Sequence, residues 1–364
     1  MRRIERIGDF RELDGCRESW NALVQTGWTN TIFQTYEWNR CWWEVFGGSN
    51  ELLILVAKED NTVEAVAPMM VVRRRARTRE RRVVTFLGGG ASDYCDFIVR
   101  KGNDDTMAEM LGYLLDQDDC WDRIALRNIP DWSRLNDVIP KVCEGRHFNA
   151  LVDHESECPT LMIEGHLDYA REIANKKKLR QQTNYVKKLG QYEVCHFREV
   201  DNIGKYLEVF FDQHIERWNG SSTPSLFVEE RNKAFYRRLT ECLCERRWLL
   251  FTMIKLDGIP IACHYGFDYN NGMLFYKPSY NKRLARHSPG MVLLKELLDY
   301  AVTSKKSEFD FSLGSEPYKM RFSNKVRKNR SFCIFRSKCD YAVIRCRQLW
   351  RQMVKRGVAR LARS

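Results

Sequence analysis

The stretch FDFSLGSEPYKMRF, residues 309–322, places groups suited to proton transfer beside groups suited to anion binding. Asp310 lies in an otherwise apolar run that reads as a strand, where an ionised carboxylate is costly without a partner. A glycine ends this run, and Glu316, Lys319 and Arg321 follow closely. We expect Lys319 or Arg321 to pair with Asp310, either inside a catalytic cleft or as a purely structural ion pair that stabilises the turn.

A hydroxyl and an imidazole complete the set of candidate proton-transfer groups. Tyr318 stands in the same stretch and is suited to serve as an acid or an orienting hydroxyl. In FFDQHIERW, His214, Arg217 and Trp218 recur at three- and four-residue spacing and therefore share one face of a helix. His264 stands alone in an apolar strand, where a histidine is more often a hydrogen-bonded core residue.

The tetrapeptide HSPG at residues 287–290 has the features of a helix start that could hold an anion. Ser288 is suited to cap the helix, and Pro289 is suited to its first turn. Gly290 would let a second backbone or a pyrophosphate approach closely. The unpaired amides and the dipole of such a helix start favour a negative charge, and Arg286 stands just before it. The alternative is that these residues only begin a helix efficiently.

The order of predicted elements indicates what positions these residues. The second half reads as a strand, two helices and antiparallel strands, followed by a strand, a loop, the HSPG helix and two strands. This order resembles that of the GNAT acyltransferase fold, and the first half approximates it. We therefore predict an α/β (α+β) chain with two tandem GNAT-like acyl-CoA N-acyltransferase domains, each with a mixed central sheet. The predicted parts are an N-terminal domain at 1–155, a basic helical linker at 156–190, a C-terminal domain at 191–340 and a basic C-terminal helix at 341–364.

Composition narrows the classes of function. The 364 residues carry a net charge of +12, with basic runs at residues 73–82, 176–188 and 345–364. Such runs are either solvated faces or surfaces for an anionic partner. The 13 cysteines include one Cys-x-Cys, at Cys242 and Cys244, and no CxxC, so neither a metal site nor a disulfide framework is expected. No secretion signal and no apolar run of membrane-spanning length is present, which favours a cytoplasmic protein.

Three segments make the chain resemble a known family over nearly its full length. They are SDYCDFIV in the first half, the strand pair around ILVAKEDNTVEAVAP, and SPGMVLLKELLDYA followed by FDFSLGSEPYKMRFS. On these segments the chain resembles the CelD-type tandem acetyltransferase family, which is similar in architecture to the Fem peptidyltransferases. The usual acetyltransferase signature, an Arg or Gln followed by spaced glycines, is present only in part, as Arg286 and Gly290.

The resemblance implies acyl transfer from coenzyme A to an amine. The amine must lose a proton, the thioester oxygen needs a hydrogen-bond donor, and the leaving thiolate needs a proton. The candidate catalytic residues are Asp310, His214, Glu316 and Tyr318. The candidate substrate-binding residues are Lys319, Arg321, Arg217, Trp218, Asp93 and Tyr94. The candidate donor-binding residues are Arg286, Ser288 and Gly290, so we expect the donor in the C-terminal domain and not in the N-terminal one.

Three functions stay open. The first is an N-acyltransferase that moves an acyl group from acyl-CoA, such as acetyl-CoA, or from an acyl carrier protein to an amine of a sugar or of a cell-envelope or exopolysaccharide precursor, without a metal. The second is a Fem-like peptidyl transferase that uses aminoacyl-tRNA, with the basic run 176–188 on RNA phosphates. The third is a catalytically degenerate GNAT pair that serves as a scaffold at an anionic membrane or in a polysaccharide-synthesis complex.

The basic C-terminal run gives one more expectation. After Tyr341 the chain carries seven Arg or Lys residues and no acid. Apolar residues are interspersed in a way that could form a stripe on a helix, and we expect peripheral contact with anionic lipid of the inner membrane. The alternative is an ordinary helix packed on the C-terminal domain. The residues of the stripe are Val343, Ile344, Leu349, Trp350 and Val354.

Overall fold

The computed structural model describes residues 2–60, 62–75, 80–117 and 119–361, and the chain forms two compact units. Unit 1 contains residues 1–39, 47–156 and 328–364. Unit 2 contains residues 40–46 and 157–327. Each unit is therefore assembled from segments that are distant in sequence.

The strands alternate with helices along the chain, as expected for a mixed α/β protein. They are β1 (Arg3–Ile7), β2 (Glu51–Glu59), β3 (Thr62–Arg75), β4 (Glu80–Phe86), β5 (Ile98–Val99), β6 (Arg123–Pro130), β7 (Asn149–Met162), β8 (Tyr192–Phe197), β9 (Leu249–Leu256), β10 (Ile259–Tyr269), β11 (Gly272–Tyr280), β12 (Glu308–Asp310) and β13 (Lys325–Phe335). Parts of β7 and β13 belong to each unit.

The helices include the three that the sequence predicts for the second half, which are α7, α8 and α9. They are α1 (Arg17–Thr26), α2 (Tyr36–Phe46), α3 (Asp104–Leu115), α4 (Leu135–Gly145), α5 (Leu167–Ala174), α6 (Lys177–Lys187), α7 (Val200–Trp218), α8 (Glu230–Glu245), α9 (Pro289–Thr303), α10 (Pro317–Arg321) and α11 (Lys338–Leu361). Short 3₁₀ helices occupy Phe10–Cys16, Ile32–Gln34, Leu226–Val228 and Lys282–His287. None of the described helices has the length and apolar character that crossing a membrane requires.

Unit 1 is built on a mixed sheet with the strand order β1-β2-β3-β4-β6-β13, and β5 pairs with β3. Most neighbours are antiparallel, whereas β4 and β6 run parallel. Strands such as LLILVA in β2 are apolar on both faces, which is the pattern of strands that are covered on both sides. The core combines these strands with α3 and α4, through Leu111 and Ile139 among others.

In unit 2 the strands of the mixed sheet have the order β7-β12-β11-β10-β9-β8. The helix α9 packs on this sheet because Val292, Leu293 and Leu297 recur at helical spacing and are fully buried in its core. Opposite Tyr265–Phe267 the ladder between β10 and β11 is irregular. There the Tyr276 amide donates to His264 Nε2 at 3.1 Å, so His264 is the buried core residue that the sequence predicts.

The pairing of β11 with β12 is parallel and short. It joins Gly272 to Glu308 and Leu274 to Asp310, and β11 continues to Tyr280 paired with β10 but not with β12. The chain after Asp310 stays beside β7, because the Phe311 amide donates to the Pro159 carbonyl at 3.0 Å. The two strands therefore separate, and we call the opening between them the wedge.

The units differ from the predicted domain boundaries. The segment 157–190, predicted as a linker, belongs to unit 2 and supplies the end of β7 together with α5 and α6. Residues 328–340, predicted as part of the C-terminal domain, belong to unit 1, because β13 pairs with β6 of that unit. The basic run at 73–82 falls on the ends of β3 and β4, and its residues 76–79 lie outside the described part of the chain.

Candidate functional site

A surface groove of about 530 Å³ lies between α6 and the start of α9 in unit 2, and we call it the α6 groove. Two of the three predicted donor-binding residues, Arg286 and Ser288, line this groove. The remaining lining residues were not predicted from the sequence, although the run 176–188 was singled out for its charge. The lining consists of Gln181, Gln182, Tyr185, Arg286, His287 and Ser288.

The α6 groove is basic on both sides. The segment 176–188 contains six Lys or Arg residues and no acid, and the facing segment 282–288 contains three and no acid. Arg286 is exposed, donates to His287 Nε2 at 2.9 Å, and meets no carboxylate within the described residues. Tyr185 stacks on His287 with 5.3 Å between ring centres. A groove with unneutralised cations and flat rings is suited to an anionic ligand.

Ser288 begins α9 in an unexpected way. Its side chain does not cap the helix, contrary to the prediction, and its backbone is left-handed, with φ 55° and ψ 47°. The Ser288 carbonyl accepts from the amides of Met291 and Val292, at 2.9 and 3.2 Å. A left-handed conformation at a residue other than glycine stores strain, and such residues concentrate at functional sites.

Gly290 serves a different contact from the one predicted. A Cβ atom at this position would lie 3.1 Å from the ring of Tyr280, so the glycine allows that ring to pack against α9. The sequence suggests instead that Gly290 admits a second backbone or a pyrophosphate. Arg286 and Ser288 thus line the groove, whereas Gly290 lies at the contact between β11 and α9.

A second cluster surrounds Arg217 on α7. Its Nη1 donates to the Pro278 carbonyl at 2.6 Å, and the guanidinium lies 4.8 Å from the centre of the Tyr280 ring. The Trp218 ring centre is 5.2 Å away, and the buried Trp218 Nε1 has no hydrogen-bond partner among the described residues. No carboxylate in the described part of unit 2 pairs with Arg217. The cluster therefore offers N–H donors without a counter-ion.

Tyr318 belongs to the same electrostatic neighbourhood as Arg217. Burial, with the nearby Glu316 carboxylate, raises the pKa of Tyr318 to about 12, and the charge on Arg217 opposes this rise. The hydroxyl therefore stays protonated at neutral pH. This state fits the predicted role of an acid or an orienting hydroxyl.

His214 is buried and unsuited to the predicted role of a base. Its Nδ1 lies 2.8 Å from Ser225 Oγ, and Phe210 and Phe227 pack against the ring. Burial, together with the charges on Arg217 and Lys277, lowers the pKa of His214 to about 3. An imidazole with so low a pKa takes up a proton poorly at neutral pH, so its basicity does not match the task.

Lys319 has Glu316 as its carboxylate neighbour, and the predicted pairing of Asp310 with Lys319 or Arg321 stays a prediction. Lys319 is buried, lies 3.0 Å from Glu316 Oε2 and donates to the Leu313 carbonyl at 2.5 Å. Arg321 is exposed at the end of α10. Asp310 is also buried, and its Oδ1 accepts from the Ser312 amide at 2.7 Å. The short spacing from Glu316 to Lys319 within one turn explains why the ion pair is local.

Steric constraints explain why a glycine occupies position 314 in FDFSLGSEPYKMRF. Gly314 has φ 113°, a conformation that L residues rarely adopt, and a Cβ atom there would lie 2.4 Å from Glu316 Oε2. The glycine therefore leaves room for the Glu316 side chain to fold back toward Lys319. It supports the turn that carries Tyr318.

Asp93 and Tyr94 are in unit 1, whereas the other predicted site residues are in unit 2. Tyr94 is buried and packs on Phe33 and Trp132, with ring centres 6.0 and 5.4 Å away. Asp93 is buried, and its carbonyl accepts from Asn329 Nδ2 at 2.7 Å. No group of three metal-binding side chains occurs among the residues for which the structure gives positions.

Comparison with known proteins supports the enzyme class. Residues 174–320 match the family described as "Acetyltransferase (GNAT) domain". This range contains the α6 groove, the Arg217 cluster and the wedge, and the match supports the predicted acyltransferase. Among curated proteins, none matches the chain in sequence.

Solved structures share the fold over nearly the whole chain. FemX has a TM-score of 0.64 at 10% identity, covering 90% of this chain and 98% of FemX. The C-terminal domain of a putative lysylphosphatidylglycerol synthetase from Agrobacterium fabrum has a TM-score of 0.54 at 10% identity, covering 90% and 92%. L-PGS from Bacillus licheniformis has a TM-score of 0.53 at 12% identity, covering 97% and 99%. The predicted tandem GNAT-like fold is confirmed, and the resemblance to the CelD-type family stays a prediction.

The Lys319 contacts predict unequal effects on stability. Lys319→Met keeps the alkyl stem but removes a charged hydrogen bond to the Leu313 carbonyl, so unfolding free energy should fall by about 1.5–3 kcal/mol. Glu316→Gln removes a half-exposed partner and should cost less than about 1 kcal/mol. Urea denaturation of both variants measures the difference. Equal costs would contradict the assignment of the carbonyl contact as the main one.

Proposed function

We propose that the protein is a GNAT-type N-acyltransferase that takes an acyl group from acyl-CoA and transfers it to an amine. The observation that carries this proposal is the α6 groove, where exposed Arg286 and left-handed Ser288 stand at the start of α9. A helix start with nearby unpaired cations is a favourable place for a phosphate group. The groove lies within the segment that matches the acetyltransferase domain.

The residues of the groove fit the chemistry of a coenzyme A thioester. Its phosphate groups need cations and amides, which Arg286 and the first turn of α9 would supply. The buried Gln182 Oε1 has no partner among the described residues and offers an acceptor to a ligand N–H or O–H. The Tyr185 and His287 rings offer a flat surface for a base. When bound, the thioester supplies the activated acyl group.

The Arg217 cluster and the Tyr318 hydroxyl would act on the acceptor side. Arg217 and Trp218 present donors without a counter-ion, which suits an acceptor that carries a phosphate or carboxylate. The amine nitrogen attacks the thioester carbon, the carbon–sulfur bond breaks, and the thiolate takes a proton from Tyr318. Asp310 and Glu316 are the candidate bases for the amine proton, while Lys319 and Arg321 are candidate contacts to the acceptor.

The acceptor in this proposal is an amine of a sugar or of a cell-envelope or exopolysaccharide precursor, and an acyl carrier protein is an alternative donor. Aminoacyl-tRNA is a further alternative, because the basic segment 176–188 would also suit RNA phosphates. A scaffold without activity is the third possibility. Saturable binding of acetyl-CoA supports the first, salt-dependent binding of tRNA supports the second, and binding of neither supports the third.

The groove predicts a selective loss of donor affinity. Arg286→Gln should weaken acetyl-CoA binding about 10- to 100-fold, because a charged contact to phosphate is worth about 1.5–3 kcal/mol. Arg283→Gln is the matched control, since Arg283 is exposed on the same 3₁₀ helix but does not line the groove. Isothermal titration calorimetry measures both. Equal affinities in the two variants would place the donor elsewhere.

Tyr318 predicts a selective loss of turnover. Tyr318→Phe keeps the ring and removes the hydroxyl, so we expect kcat to fall by about 10²- to 10⁴-fold, the usual contribution of a general acid. The affinity for acetyl-CoA should stay within about twofold, since Tyr318 does not line the α6 groove. The measurement is steady-state kinetics with a panel of amines, in which the release of free thiol is monitored. A kcat within threefold of wild type would remove Tyr318 from the mechanism.

We also propose that α11 attaches the protein to an anionic membrane surface. One face of α11 packs on unit 1, where Tyr341 and Ile344 meet its apolar cluster and Gln348 Nε2 donates to the Val152 carbonyl at 2.7 Å. Ile344 therefore does not belong to the exposed apolar stripe that the sequence predicts. Exposed apolar residues recur at three-, four- and seven-residue spacing, as expected for one continuous helical face. They are Val343, Cys346, Leu349, Trp350, Met353 and Val354.

The charge beside this face favours lipid over a neutral partner. Arg345 and Arg347 are exposed, and the sequence continues with basic residues and no acid. A helix with an apolar face flanked by Lys and Arg lies in the interface of an anionic bilayer. The proposal thus places the enzyme peripherally, with no membrane-spanning helix required.

The exposed face predicts lipid-dependent binding. Trp350→Ser combined with Met353→Ser should weaken binding to phosphatidylglycerol vesicles at least about tenfold, because each side chain loses about 1.5–3 kcal/mol of burial. Ile259→Ser is a matched control, since Ile259 is 62% exposed and Trp350 is 63% exposed. Co-sedimentation with phosphatidylglycerol and phosphatidylcholine vesicles gives the comparison. Equal sedimentation with both lipids would contradict the charge-dependent attachment.

A further inference from the structure

Two cysteines that are distant in sequence meet in unit 2. Cys41 lies in the middle of α2, Cys242 lies on α8, and they are 201 positions apart. Their Sγ atoms are 3.3 Å apart, yet both thiols are free. Cys41 is fully buried, whereas Cys242 is partly exposed. The acyl-transfer proposal makes no use of either thiol.

The surroundings make Cys242 the more reactive of the two. The Cys41 S–H donates to Cys242 Sγ, which, with the positive charge of Arg238, lowers the pKa of Cys242 against the opposing effects of burial and of Glu245 and Glu44. The same contact and burial raise the pKa of Cys41. A thiolate therefore forms first on the sulfur that solvent can reach, with a second sulfur already in contact.

Cys244 provides an internal contrast. It stands two residues further along α8 and is also partly exposed. Burial raises the pKa of Cys244 to about 12, and its thiol has no hydrogen-bond partner among the described residues. Two cysteines on one helix thus differ in the feature that matters, which is the presence of a second sulfur.

We propose that Cys41 and Cys242 form an oxidation site at which hydrogen peroxide produces an intramolecular disulfide. The Cys242 thiolate attacks a peroxide oxygen, the O–O bond breaks, and the released hydroxide takes up a proton, which leaves a sulfenic acid on Cys242. The Cys41 sulfur then attacks Cys242 Sγ, the S–O bond breaks, and the hydroxide leaves with the Cys41 proton as water. In total, two thiols and one peroxide give one disulfide and two water molecules, and the two sulfurs supply both electrons.

The disulfide would fix the segment Arg40–Phe46 to α8. Non-covalent contacts already hold this segment, since Phe46 meets Phe235 with ring centres 5.6 Å apart and Arg231 Nε donates to the Val45 carbonyl at 2.9 Å. A covalent bond between residues so distant in sequence restricts the unfolded chain strongly. Oxidation should therefore raise the melting temperature rather than distort the unit.

The experiment treats the full-length protein with hydrogen peroxide, blocks remaining thiols with iodoacetamide and maps the digest by mass spectrometry. We expect a linked Cys41–Cys242 peptide that is two hydrogens lighter than its parts, disappears on treatment with dithiothreitol, and accompanies a rise in melting temperature. The exposed Cys339 and Cys346 are replaced by Ser in the background to prevent links between molecules. Alkylation of both Cys41 and Cys242 after peroxide treatment would overturn the proposal.

Three variants separate the sulfur contact from general reactivity. Cys41→Ala should halt the reaction at a Cys242 sulfenic acid that dimedone captures, and Cys242→Ser should abolish both the linked peptide and the rise in melting temperature. Cys244→Ser should leave both unchanged. Circular dichroism of the untreated variants establishes that each is folded. Formation of a Cys41–Cys244 link in place of the Cys41–Cys242 link would also overturn the assignment.

Discussion

The hydrogen bond from the Ser312 amide to the Asp310 carboxylate marks the point on which the candidate site of unit 2 depends. At this point β12 ends its three-residue pairing with β11, while the following residues stay beside β7. The backbone at Ser312 is left-handed, with φ 62°, so the chain cannot continue as a regular strand. Because β11 extends to Tyr280 without β12, the wedge opens. The segment that follows β11 carries Arg286, and the segment that follows β12 carries Tyr318.

The contrast between Tyr318 and His214 shows how burial selects chemical roles. Each group is held in its neutral form, since burial raises the pKa of the tyrosine and lowers that of the histidine. A neutral tyrosine keeps the proton that an acid must give, whereas a neutral histidine with so low a pKa hardly accepts one. The same loss of solvent thus keeps a proton on the tyrosine and keeps one off the histidine.

Helices with a strong apolar period were predictable from the sequence. The helices α7, α8 and α9 follow from their apolar spacing, and the wedge strand and the HSPG helix follow from the order of elements. Elements in which proline or polar residues interrupt the apolar period were not predictable. Pro140 stands inside α4, and β7 contains the polar run DHESE, so neither element was predicted.

The residues of the groove at the start of α9 were predictable from the sequence, whereas those on α6 were not. Arg286 and Ser288 were identified from the helix start, but Gln182 and Tyr185 were hidden in a run that was interpreted by charge alone. The partner of Lys319 was missed because the spacing to Glu316 and the steric role of Gly314 compete with a longer-range pair. Which of two acids reaches a buried ammonium depends on side-chain geometry that a sequence does not give.

The path of β13 has a consequence for biosynthesis. This strand pairs with β6 of unit 1, yet it follows nearly all of unit 2 in the chain. A ribosome therefore releases nearly the whole of unit 2 before unit 1 can close its sheet. During that interval the edge of β6 is an open template for other strands, which is the situation in which nascent chains aggregate or recruit chaperones. The order of synthesis favours completion of unit 2 first, and the unit with the earlier sequence is the later one to fold.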